Sequence, residues 1–147
     1  MSRRSYAPLL RQASRSGVYR APRRGAASLI ADAKAAGLAA FHIDLAAVRD
    51  KDALLDRIAE TLSFPDWFGH NWDALADCLG DLSWLPAHGY FILLTHCGDF
   101  RARDGAAFAA ALPVFAAAAE VWRGQGVPFW TLADARSDGL AGLPGPE

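Results

Sequence analysis

The run Tyr-Phe-Ile-Leu-Leu at 90–94, inside the stretch 89–97, sets the tightest limit on what this chain becomes. Five apolar residues in a row leave no polar face, so a strand here must be covered on both sides. Such strands lie inside parallel sheets with helices above and below. The neighbouring segments agree. Residues 39–45 alternate, with Phe41, Ile43 and Leu45 on one face, and 127–133 reads as a last strand. A short segment at 16–22, ended by Pro22, suits an edge strand. Helical spacing runs through 25–38, 50–63, 72–79 and 103–126. Pro113 lies inside the last of these and should kink or divide it. Helices between strands imply right-handed parallel crossovers. The expectation is an α/β protein: a small parallel β-sheet of three or four strands packed with helices, with 89–97 central.

The 147 residues suit one domain, expected over 16–138, between a mobile basic tail at 1–15 and a loose end at 139–147. Two cysteines make no disulfide framework, no signal-peptide pattern opens the chain, and no apolar run reaches the ~18 residues of a bilayer span. A reduced, cytoplasmic setting follows as the expectation.

Charge divides the chain. Residues 1–37 sum to +7 and the remaining 110 to −8. Between Arg57 and Arg101 there is no lysine or arginine, yet Asp66, Asp73, Asp77, Asp81 and Asp99 lie there. That gap creates a negative potential suited to a basic partner and repels phosphates. Nucleic acid is therefore not expected as a ligand except through the arginine-rich start, which supplies the alternative reading of a nucleic-acid accessory protein. Opposite charge would also let the tail lie over the acidic region.

Phe-Pro-Asp-Trp-Phe-Gly-His-Asn-Trp-Asp-Ala-Leu-Ala-Asp-Cys-Leu, at 64–79, concentrates the chemistry. Asn71 is a suitable N-cap, and Trp72, Leu75, Ala76 and Leu79 form one stripe expected to face the core. Asp73 and Asp77, four apart, share another face without a basic neighbour at helical spacing. A solvated acidic face is one reading. Carboxylates left open for a partner's cations are the other, and the aromatics Trp67 and Phe68 beside them favour it.

This stretch resembles the signature of the barstar family: a hydrophobic-Pro pair, two aromatics, Gly-x-Asn, then a helix reading Asp-Ala-Leu-x-Asp-Cys-Leu. Weaker similarity in element order extends over 39–133, and residues 1–38 lie outside what the founding member has. The resemblance implies a parallel α/β fold and a protein inhibitor of a basic ribonuclease or related nuclease toxin. A loop and helix would fill the enzyme's basic groove, with carboxylates where substrate phosphates lie. It puts Asp73 and Asp77 in the inhibitory positions, Trp67 and Phe68 in the aromatic pair, and Gly69 and Asn71 in the turn. Asp66, His70, Trp72 and Ala76 complete the expected contact surface. Ala76 stands where the founding member has tryptophan. Ala116 and Ala117 stand near its outlying acidic contact, with Glu120 the only acid nearby, so a different target is expected.

Other chemistries fit less well. Carboxylates four apart on one helix turn do not flank a substrate bond. His42, His70, His88 and His96 fall in no familiar ligand spacing, and Cys78 has no evident base. No cofactor, metal, small-molecule substrate or membrane partner, and no catalysis, is expected.

Overall fold

The computed structural model describes residues 4–135 and 139–145. Its strands β1 (Val18–Arg20), β2 (Ala39–Asp44), β3 (Tyr90–Thr95) and β4 (Phe129–Ala133) form one sheet in the order β1-β4-β3-β2. Every neighbouring pair is parallel. β3 is interior, as its apolar run requires, and the expected edge strand is β1.

The run divides by pleat between two cores. Tyr90, Ile92 and Leu94 join Ile43, Leu45 and Phe129 on one face. Phe91 and Leu93 join Trp130 and Leu132 on the other. The first core is closed by α3 (Lys51–Thr61), α4 (Trp72–Asp81), α5 (Cys97–Arg103) and α6 (Gly105–Arg123). The second is closed by α1 (Ala7–Leu10) and α2 (Ala26–Ala35), through Leu9, Leu10, Leu29 and Ala33. Each large side chain so buried contributes about 1.5–3 kcal/mol.

This second layer corrects the expectation of a free tail. Tyr6, Leu9 and Leu10 are buried, and the Trp130 indole N–H donates to the Leu10 carbonyl at 2.8 Å. The Tyr6 N–H and the Arg24 guanidinium both donate to Asp32. Only residues 1–3 of the expected tail lie outside the described residues. α1 and α2 thus lie on the far side of the sheet from α4, with β1 between them in the sheet itself, so this segment does not lie over the acidic helix. At the other terminus, the Arg20 N–H donates to the Ala141 carbonyl at 2.7 Å, and the Leu143 N–H to that of Arg20 at 3.2 Å. Residues 141–143 therefore line the outer edge of β1, where a loose end was expected.

The helical segment after β3 is divided, but not by its proline. The break falls at Asp104, whose carboxylate caps α6 by accepting the Ala107 N–H at 3.1 Å. Pro113 lies inside α6, which runs through it. Pro113 and Ala109, four residues earlier, are both exposed, so the carbonyl left without a partner has water. With 19 residues and a mean hydropathy of 1.5, α6 is long and apolar enough to cross a membrane, contrary to the expectation of no such run. Here it lays Phe108, Ala111, Phe115, Ala118 and Ala119 into the first core.

At the carboxyl ends of β2 and β3, a His96 ring nitrogen lies 2.6 Å from an Asp44 carboxylate oxygen. The Ala46 N–H and then His96 hold Asp44 below its ordinary 3.8. The hydrogen bond and charge of Asp44 hold His96 above its ordinary 6.5, with Asp99 and Asp134 adding to the rise. Asp44 therefore contributes stability above 3.8 that is lost as pH falls, and His96 contributes below 6.5 what is lost as pH rises through its raised value. Melting temperature should fall gently as pH rises from 6.5, and His96→Asn should flatten that slope. An equal slope in the variant would show that the pair does not set it.

Candidate functional site

The site is built on the connection from α3 to α4. The Phe64 N–H donates to Ala59 and the Phe68 N–H to Pro65, folding the chain into a tight turn. Phe64 and Phe68 meet edge-on at 5.0 Å, and Phe64 and Trp84 do so at 5.8 Å. These three half-buried rings pack against the first core, and the Trp84 indole N–H is fixed on the Leu62 carbonyl at 2.9 Å. Trp67 leans edge-on against Trp84 but remains 64% exposed. Of the expected aromatic pair, Phe68 holds the loop and Trp67 is presented.

His70 has a different part from the contact expected of it. Its φ is +58°, and one ring nitrogen lies 2.6 Å from Asp56 of α3, the other 3.9 Å from Asp52. Its ring also meets Phe68 edge-on at 5.8 Å. His70 thereby clamps the loop to α3. A Cβ on Gly69 would lie 3.2 Å from the Ala74 Cβ, so a side chain there would press on the start of α4. Asn71 caps that helix, accepting the Ala74 N–H at 2.8 Å and donating to Gly69 at 3.2 Å.

The buried face of α4 is rotated from the expected stripe. Leu75, Cys78 and Leu79 are fully buried, Trp72 is half-buried and Ala76 is exposed. At about 100° per residue, burying Cys78 draws the inward face toward it and carries Ala76 outward. The burial of Cys78 raises its thiol pKa, and the charges of Asp77 and Asp81 add to the rise, so it stays protonated as a small apolar residue. The outward face consists of Asp73, Ala76, Asp77 and Gly80, flanked by Asp81.

Asp66, Asp73 and Asp77 are exposed, and their side chains have no hydrogen bond or ion pair among the described residues. A cation does reach the region: Lys51 of α3 stands 5.2 Å over the Trp72 ring. It occupies that ring's face, so Trp72 is a covered residue of the rim. Reading the chain for motifs missed three contributors, Lys51, the Asp52–Asp56 clamp and Val121. Val121 of α6 is 49% exposed beside α4, with its Cγ1 3.9 Å from where a Gly80 Cβ would stand. It falls about 120° from Phe115 around the helix, which marks it as lying off the core stripe.

Residues 38–134, about two-thirds of the chain, match the family model of barstar, the barnase inhibitor. The chain belongs to the barstar family. No curated protein matches it. All ten residues expected at the site fall within the barstar match, whereas α1, β1 and α2 precede it. Ala76 is exposed at the edge of the acidic face. Ala116, Ala117 and Glu120 are exposed on α6. Trp84 faces inward onto Leu62.

Proposed function

We propose that this barstar-family chain inhibits a basic ribonuclease or related nuclease toxin by seating α4 and the loop before it in the enzyme's active-site groove. The observation that carries the reading is the exposure of Asp73 and Asp77, unpaired on one face of α4 and led by the projecting Trp67. Like charges four apart cost a helix about 0.2–0.5 kcal/mol, a cost that a partner's cations reverse. A groove built for phosphates presents arginine, lysine or histidine donors, which take a carboxylate equally well. The chain itself performs no chemistry on this reading. It works in the cytoplasm of the cell that makes the nuclease.

The test is the cleavage of a fluorogenic RNA by a basic nuclease captured from the source cell. One equivalent of the protein should abolish cleavage. Trp67→Ala should weaken inhibition at least tenfold, about 1.4 kcal/mol. Because the ring is mostly exposed, melting should shift by less than about 0.5 kcal/mol-equivalent. Cleavage that continues at full rate with the protein in excess would overturn the reading.

A further inference from the structure

A cleft of about 470 Å³ opens at the carboxyl ends of β1 and β4, lined by Arg20, Ala21, Pro22, Arg23, Arg24 and Asp134. The topology makes it. The chain leaves β1 toward α2 on one face of the sheet and leaves β3 toward α5 on the other, so neither connection passes over the end of β4 between them. In open parallel sheets, this divergence of connections is where small ligands bind.

The charges in the cleft do not cancel one another. Asp134, the one carboxylate among the described lining residues, already accepts the backbone N–H groups of His96 and Cys97 at 2.8 and 2.9 Å. Arg24 is held by Asp32 and the Arg4 carbonyl, both at 2.9 Å, and lies 4.5 Å over the Tyr6 ring. It is a fixed wall. Arg20 and Arg23 are exposed; Arg20 makes only a long, 3.4 Å side-chain contact to the Leu140 carbonyl, and Arg23 has no side-chain partner among the described residues. Arg20 and Arg23 thus line the cleft beside the fixed Arg24, in a volume within the usual range for small-ligand pockets.

We propose that this cleft is an anion site taking the phosphate group of a nucleotide-sized ligand, separate from the acidic face and independent of the nuclease reading. Guanidinium forks grip phosphate bidentately, and the cleft is lined by two arginines besides Arg24, with no unengaged carboxylate among its described residues. The test follows backbone amide shifts at 20–24 and 134 while the protein is titrated with inorganic phosphate, adenosine 5′-monophosphate or adenosine. Saturable shifts confined to the cleft are expected with the two phosphates and none with adenosine. Arg20→Gln with Arg23→Gln should weaken binding about tenfold or more, whereas Lys34→Gln, outside the cleft, should not. No saturation by about 10 mM, unchanged affinity in the double variant, or binding of short RNA without binding of the mononucleotide would each overturn the proposal.

Discussion

Replacing Asp73 and Asp77 together by alanine should leave the protein folded and make its complex with the nuclease dissociate at least about thirtyfold faster. Truncating one partner of a buried, hydrogen-bonded charge pair costs about 2–5 kcal/mol or more, a range that rests partly on the founding complex of this family. The cost arises because the enzyme's cations stay buried with nothing to neutralise them. The two effects should not add, because residues one turn apart enter the same groove. Among the described residues neither carboxylate has a partner to lose. Relief of their mutual repulsion, about 0.2–0.5 kcal/mol, is set against Asp73's favourable place in the first turn, so melting should hardly move. Asp66→Ala is the contrast. Its carboxylate lies before the helix, so it should mainly slow association, and only at low salt. Rapid-mixing kinetics with a melting curve for each variant decide the matter. A folded double variant that leaves the enzyme no faster than wild type would remove these aspartates from the mechanism.

A chain beginning at residue 38, the start of the family match, should fail to give a stable monomer. Cutting there removes α1, β1 and α2 and bares Phe91, Leu93, Trp130 and Leu132 on one face of the sheet. It also leaves β4 as an open edge strand, which invites pairing between copies. Exposed patches of that kind drive aggregation. Leu10→Ala in the full chain is the milder form of the same test. Leu10 is fully buried and its backbone carbonyl receives the Trp130 indole, so losing the side chain should cost about 2–5 kcal/mol. For a domain of this size that is roughly a 6–20 °C drop in melting temperature. A shortened chain that melts cooperatively near the wild-type temperature would show the layer to be dispensable.

Much of this was legible in the residues because it depends on local pattern. The apolar run at 90–94 required cover on both faces, and the two cores provide it. Asn71 occupies the cap its side chain suits. Asp73 and Asp77 stand out for the cations missing at helical spacing, and the one that folding brings to α4, Lys51, lies over Trp72 rather than pairing with either of them. What escaped depends on contacts made across the chain. α1 is four residues long, too short to show a period or to form unaided, and its stability comes from Leu9 and Leu10 meeting the sheet. The His70 clamp joins residues fourteen apart, which no helical or strand spacing encodes. Ala76 was misplaced because Leu75 and Leu79 fit two neighbouring stripes, and only the burial of Cys78 chooses between them.

The separation of charge by the sheet gives the molecule a permanent electric dipole. Residues 4–37 carry seven basic residues and one acid, with Arg11 and Lys34 among those on the α1–α2 side of the sheet, and α4 turns its carboxylates outward on the other. A cationic groove therefore attracts the acidic side, repels the basic layer and exerts a torque between them. On the proposed function, that torque would turn α4 toward the groove before contact, over the screening length of about 8 Å at physiological salt. The basic residues on the α1–α2 side would then have a part in orientation at a distance, though they touch nothing that the acidic helix would touch.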